Sequence, residues 1–303
     1  MEIGGFRGNS EKSDLFSARP RGLRAVRNNA PMNPTAYWKT CLDLVVPPVC
    51  LLCGDDNEQS DLCLRCDRLV TRSWPPLAEA CRFCGMPRPS QAALLAGQPS
   101  DAQPACPAFA VDRCDACPAE PLAFDSVVPL AIYQGPVREA VVAAKLAANS
   151  GLATALGVRL AEKVSAYHQW LQMRGEPVPE WITYVPTSLL RRIQRGGAGG
   201  AASIAAAVSQ QLQIPVAGLL RQTRRIAKQS LLPDELRHEN VRGAFALQRR
   251  RVWNRLPAVA SRHILLIDDV LTTGSTAAEL AATLKQAGAA SVHLAVIARA
   301  VRR

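Results

Sequence analysis

Residues 263–280, HILLIDDVLTTGSTAAEL, leave few options for the chain around them. Four consecutive apolar residues, 264–267, are the signal of a short strand covered on both faces. Two adjacent carboxylates, Asp268 and Asp269, come next. A two-residue spacer leads to Thr272, Thr273, Gly274, Ser275 and Thr276. Residues 277–287 are Ala/Leu-rich, helical in composition, and stop at Gly288. Strand, acidic pair, hydroxyl-bearing loop and helix together make a phosphate cradle. Backbone N–H groups at a helix N-terminus point at an anion, and the helix dipole favours its charge. Gly274 lets the main chain approach the ligand, and the Thr and Ser hydroxyls add donors.

The carboxylates separate this loop from nucleotide-binding phosphate loops, which place a lysine on the phosphates. No lysine stands in residues 268–276. Carboxylates at the end of a strand suit sugar hydroxyls or a divalent cation. A ligand with a ribose diol and a terminal phosphate, bound with magnesium, fits both halves. An ordinary capped strand–turn–helix would leave this concentration of negative charge without a reason. At these residues the chain resembles the 5-phosphoribosyl-1-pyrophosphate (PRPP) motif of the type I phosphoribosyltransferases. The resemblance implies that Asp268 and Asp269 contact the ribose 2'- and 3'-hydroxyls and that residues 272–276 bind the 5'-phosphate. It speaks for binding more than for catalysis.

Eight of the ten cysteines form four C-x-x-C pairs: Cys50/Cys53, Cys63/Cys66, Cys81/Cys84 and Cys114/Cys117. Two such knuckles complete a tetrahedral four-thiolate zinc site, so four imply two zinc ions. Pairing of neighbours, first with second and third with fourth, suits the nine-residue gap between Cys53 and Cys63; crossed pairing is the alternative. Disulfides compete, but thiols stay reduced in the cytoplasm. That address is expected because the first 31 residues lack an apolar signal core and no run approaches the ~18 apolar residues of a membrane span. Cys41 and Cys106 are left over. The knuckles either staple a core-poor segment or contact protein or nucleic acid.

Residues 1–31 lack periodicity and are expected to be a disordered extension, with Met32 a sensible start. Residues 32–49 hold one short helix, residues 50–120 a double zinc ribbon, and residues 121–303 an α/β domain. In the latter, strands are expected over 127–133, 181–185 and 292–297, besides the cradle strand, with a short edge strand over 244–247. Helices are expected over 137–147, 152–173 and 201–212. Alternation of strands and helices predicts a parallel sheet whose ligand lies beyond the strands' C-terminal ends. Residues 121–303 carry 23 Lys/Arg against 11 Asp/Glu, within a net charge of +11 for the 303-residue chain. A basic part of this kind suits an anionic partner. Arg221, Arg224, Arg225, Lys228 and residues 249–251 form its densest cluster. The four histidines, His168, His238, His263 and His293, have no motif context and are read as structural or exposed.

Four knuckles followed by a PRPP-type domain resemble the ComF/GntX family of phosphoribosyltransferase-like proteins, from about Cys50 to Arg299. Smaller matches are Tyr133-Gln134-Gly135, Lys145, Val185-Pro186, Gln229, Arg237, Asn240-Val241, Ala244-Phe245 and Arg299. The resemblance implies a type I phosphoribosyltransferase-like parallel sheet flanked by helices, with a small N-terminal zinc-ribbon module. It implies PRPP contacts from Val185, Pro186, Arg192, Arg195 and Lys145 as well as the cradle. One departure stands out. Where the family has Arg-Gly-Phe-Asn-Gln, this chain has Arg195-Gly196-Gly197-Ala198-Gly199. Glycines there fit a closing loop or a degenerated one on a protein that binds PRPP without much chemistry.

The resemblance also implies an association with the uptake or processing of transforming DNA, and within it two functions are expected. The first is an enzyme moving phosphoribosyl from PRPP, with magnesium, to an unidentified acceptor; no catalytic residue is assigned. The second is a non-catalytic component of DNA uptake that binds single-stranded DNA or a helicase-like partner. The aromatic fraction of 5% leaves few stacking platforms, so such binding would be electrostatic.

Overall fold

Burial on both faces of one strand is what the run 264–267 demands, and the fold supplies it. A computed structural model describes residues 49–57, 61–71, 80–87, 113–187, 200–224, 226, 239–248 and 257–301. In chain order its elements are helix α1 (Leu64–Thr71), strand β1 (Ser126–Ile132), helix α2 (Gly135–Ala144), helix α3 (Ser150–Met173), strand β2 (Trp181–Tyr184), helix α4 (Ala201–Leu212), strand β3 (Leu220–Gln222), strand β4 (Phe245–Leu247), strand β5 (His263–Leu271), helix α5 (Ser275–Gln286) and strand β6 (Ser291–Arg299).

Four strands form a parallel sheet in the order β1-β6-β5-β2. Alternate side chains of β5 enter two cores. Leu265 and Ile267, with Val128, Leu130, Ala295 and Ile297, pack under α2, α3 and α4. Ile264 and Leu266, with Val127, Leu294 and Val296, pack against Leu280 and Leu284 of α5 and Leu220 and Phe245 of β3 and β4. All four residues 264–267 are fully buried. Each such side chain contributes roughly 1.5–3 kcal/mol of transfer free energy. Helix α4 lies close on α3 at Gly157, where a Cβ would come within 2.7 Å of Ala207 Cβ and 2.9 Å of Ile204 O.

Both edges of the sheet are occupied. On β2, Ile182 N donates to Pro215 O and Ala217 N donates to Ile182 O. On β1, Val127 N donates to Arg82 O, so the third cysteine knuckle lies along that edge. This covers backbone groups that an open edge would expose to other chains. The cysteine segment and the sheet belong to one compact unit, Pro47–Arg303. Leu62, Cys66 and Val70 join the α2–α3 side of the core, and Arg159 on α3 forms an ion pair with Asp67 on α1.

Two expectations change. The strand over 244–247 is shortened to β4 and pairs antiparallel with β3, outside the parallel sheet. The helix over 137–147 ends at Ala144, because Leu146 N turns back to Ala143 O and a 3-10 turn follows at Ala147–Asn149. Lys145 therefore caps α2 instead of lying within it. The expected helix over 32–49, Cys41, Cys106, Arg192, Arg195, Gln229, Arg237, His238, Arg225, Lys228 and residues 249–251 lie outside the described residues.

Candidate anion site and metal centres

Strand β5 delivers its acidic pair at the C-terminal end of the sheet, where parallel strands place their ligands. Asp268 and Asp269 are both half-buried. Asp269 N donates to Asp268 Oδ1 at 2.8 Å, which folds the first carboxylate back over its own backbone. Burial, and then the negative charge of Asp269, push the Asp268 carboxyl well above the usual carboxylate range. A cation answers from another part of the chain. Lys145 Nζ, at the end of α2, lies 3.1 Å from Asp269 Oδ2. Gly200, which begins α4 at φ +76°, is close enough that a Cβ there would sit 4.0 Å from Lys145 Cα. Val185 N donates to Ile267 O, so Val185 and Pro186 stand beside the strand just before the acidic pair.

The loop after β5 reaches the N-terminus of α5 through Gly274 at φ +87°. Thr273 Oγ1 and Ser275 Oγ are 2.9 Å apart, and Ser275 N approaches Thr273 Oγ1 at 3.4 Å. Gly274 and Ser275 are buried, whereas Thr272 is exposed. Lys145, Asp268, Asp269, Val185, Pro186 and residues 272–276 thus share one end of the sheet. Hydroxyls, a helix N-terminus, two carboxylates and an ammonium are therefore gathered at that end.

The cysteines gather into two groups: Cys50, Cys53, Cys63 and Cys66, and Cys81, Cys84, Cys114 and Cys117. Within each, all sulfurs lie within 4.8 Å of one another. The spacings Cys53–Cys63 3.7 Å, Cys81–Cys117 3.6 Å, Cys84–Cys114 3.4 Å and Cys114–Cys117 3.8 Å approach the tetrahedron edge of about 3.8 Å set by a 2.3 Å zinc–sulfur bond. The leading knuckles share one backbone plan. Gly54 N donates to Cys50 O and Gly85 N to Cys81 O, and both glycines have positive φ. Burial resists ionisation of Cys50, but N–H groups of Cys53, Cys63 and Leu52 outweigh it and bring the thiol down to about 6. At Cys81, hydrogen bonding with Cys84 and then backbone N–H groups bring the thiol down to about 4. Four sulfurs at contact distance, one already disposed to ionise, fit a soft divalent cation. Zinc held by these eight residues would supply structural cross-links.

The profile of the phosphoribosyl transferase domain matches residues 196–303. The DNA utilization protein YhgH of Salmonella typhi is 29% identical over 267 residues, 84% of this chain and 99% of the relative. YhgH of Escherichia coli strain K12 is 31% identical over 187 residues, 61% of this chain and 77% of the relative. The chain belongs to the ComF family of phosphoribosyltransferase-like proteins. Among solved structures, the glutamine PRPP amidotransferase of B. subtilis aligns at 23% identity and a TM-score of 0.30, over 48% of this chain and 26% of the enzyme. The ComF-type chain thus carries a phosphoribosyltransferase domain on a helix-flanked parallel sheet, with two potential metal centres on its N-terminal side. Among the described residues no helix is long and apolar enough to cross a membrane.

In this ComF-family member, one residue of the site had only a positional signal in the sequence. Arg299, last in β6, donates through Nε to Cys84 O at 2.7 Å and through Nη1 to Leu271 O, Thr272 O and Ala300 O. Its match to the place where the resembling family ends its last strand was the available clue. Two histidines hydrogen-bond to serines within the sheet: His263 Nδ1 meets Ser291 Oγ at 2.8 Å, and His293 lies in a buried cluster. His293 Nδ1 meets Ser126 Oγ at 2.8 Å beside the Tyr167 hydroxyl, and its Nε2 meets Ser291 Oγ at 2.9 Å, at the opposite end of the sheet from Asp268.

Proposed function

We propose that the site at the C-terminal end of β5 binds PRPP with magnesium. The reading rests on one juxtaposition: two adjacent carboxylates and, in the next turn of chain, a hydroxyl-lined helix N-terminus. Asp268 and Asp269 take the ribose diol, and residues 272–276 take the 5'-phosphate with backbone and hydroxyl donors. Lys145, now paired with Asp269, turns toward the pyrophosphate, with Arg192 and Arg195, which follow Pro186 in sequence, as further cations. Magnesium neutralises pyrophosphate charge when bound. Transfer would break the C1–pyrophosphate bond through an oxocarbenium-like state, and the acceptor is a separate question because no general base is assigned.

The shared name of the relatives, DNA utilization protein, supports placing this chemistry in the cytoplasmic use of incoming DNA. A non-catalytic reading has its own support in the basic excess of residues 121–303. In it, PRPP is a regulatory ligand or absent, and single-stranded DNA or a helicase-like protein is the partner. Calorimetry with PRPP and magnesium tests the first reading, and pyrophosphate release with candidate acceptors tests catalysis. Saturable binding lost in Asp268→Ala/Asp269→Ala supports it. Absence of binding to the wild type removes it and leaves the DNA reading.

A further inference from the structure

The two cysteine groups are attached to the sheet domain in different ways. The first reaches α3 through the Asp67–Arg159 ion pair and the core under α2 and α3. The second reaches the phosphate loop. Cys84, one of its four sulfur donors, accepts a hydrogen bond from Arg299 Nε on its own carbonyl. The same guanidinium holds Leu271 O and Thr272 O, the two carbonyls that lead into the cradle. Gly85 makes room for this link: a Cβ there would come within 3.1 Å of Val127 Cγ1 and 3.6 Å of Arg299 Cδ. A second arm runs from the last knuckle, where Leu122, five residues after Cys117, lies against Gly274. Between the two arms is a cleft of about 490 Å³ whose walls include Cys84, Met86 and Pro118 on one side and Leu271, Thr272 and Thr273 on the other.

We propose that Arg299 is a positioning residue that ties the phosphate loop to the metal centre at Cys81, Cys84, Cys114 and Cys117, so that loading of this centre tunes anion binding at residues 272–276 and loading of the other does not. This rests on the reading of the loop as a phosphate site. A coordinated Cys84 holds its own carbonyl in place, and a planar guanidinium then transmits that position to two loop carbonyls at once. Arginine reaches Cys84 O through Nε and the two loop carbonyls through Nη1; lysine has a single nitrogen and cannot hold the knuckle and the loop together. If the centre empties, the knuckle backbone loosens and the loop loses one of its two supports. By linkage, a ligand on the loop then raises the affinity of the second centre for its metal.

Hydrogen exchange of the amides of residues 271–276 tests this without any ligand. The full chain is compared with Arg299→Lys, Cys117→Ser and Cys63→Ser, each with its zinc content measured. Arg299→Lys and Cys117→Ser are expected to raise exchange in the loop about tenfold while α3 stays protected, and Cys63→Ser is expected to leave the loop unchanged. PRPP with magnesium should bind about tenfold more weakly to the first two variants, and in the wild type it should raise the affinity for one of the two zinc ions about tenfold, read by competition with a chelator. Equal loosening by both cysteine variants, or a loop still protected in Arg299→Lys, overturns the proposal. If Cys117→Ser does not fold, Arg299→Lys decides, judged at retained zinc and retained α3 protection. If the wild type binds no PRPP, the phosphate reading falls, and the exchange comparison still decides the coupling.

Discussion

Lys145 Nζ stands 3.1 Å from Asp269 Oδ2, so the end of α2 supplies the counter-charge for a carboxylate 124 residues further along the chain. Both side chains are about a quarter exposed or less, at 26% and 21%, which limits screening by salt compared with an open surface pair. Removing the ammonium in Lys145→Met leaves two neighbouring carboxylates with no cation between them. The variant should bind PRPP with magnesium about tenfold more weakly or worse. Titration calorimetry checks this. Unchanged affinity together with a lower Tm would assign Lys145 to the fold alone.

Asp268 should weigh on the stability of the ligand-free protein. Its folded pKa is raised by burial and by Asp269. The fold therefore favours the neutral acid. The benefit is complete below the ordinary carboxylate range and is lost as pH rises past it. At neutral pH, Asp268→Asn should melt higher than the wild type while losing affinity for PRPP with magnesium. A lower Tm for the variant at pH 7 contradicts this.

Gly274→Val should damage both fold and site. Its φ of +87° lies where a β-branched residue is a strong outlier, while its Cβ would only touch Leu122, at 3.4 Å. The strain is on the order of 1–3 kcal/mol. Chemical denaturation measures that loss, and phosphate or PRPP binding measures the effect on the loop. A variant as stable as wild type would mean that the loop relaxes to another backbone conformation.

Acid should destabilise the protein through His293. Burial holds its pKa down to about 4 from the ordinary 6.5. The neutral ring contributes fully above the unfolded value, and its contribution is lost as pH falls from about 6.5 toward 4. The effect is on the order of 3 kcal/mol at most. His168, also lowered to about 4 by burial, acts in the same direction. In His293→Gln the fall of stability over this window should be shallower than in the wild type. Equal slopes in the two proteins would exclude His293 as a source of acid sensitivity.

Purified protein should carry about two zinc ions per chain, one for each four-sulfur group. Stripping them should lower thermal stability, because Cys50, Cys66, Cys81 and Cys84 are buried and crowd sulfurs that repel once ionised. Elemental analysis with a melting curve before and after chelation decides. A zinc-free protein with an unchanged Tm would return the cysteines to ordinary packing.

Adjacent residues carried most of what was legible beforehand. The run 264–267 announces a doubly covered strand because consecutive side chains leave opposite faces, and both faces are apolar. The acidic pair, the loop and α5 follow within a few residues, so their joint position is set by local backbone geometry. The C-x-x-C knuckles are local in the same sense. Helix α4 was bounded correctly because its Ala-rich run starts just after a glycine. Relations between distant segments depended on packing that no spacing encodes. Strand β4 left the main sheet because Pro215–Ala217 already occupies the free edge of β2. The grouping of neighbouring knuckles, left open by spacing alone, is set by which sulfurs the packed segments bring within 4.8 Å. Lys145 met Asp269 because α2 ends at the same edge of the sheet as β5. Arg299 joined a cysteine knuckle to the loop after β5 because β1, β6 and β5 lie side by side, bringing the ends of β5 and β6 close to residues 80–87. Chemistry held within one turn of chain can be read in order, whereas the partner of a charged side chain is chosen by the three-dimensional path of the backbone.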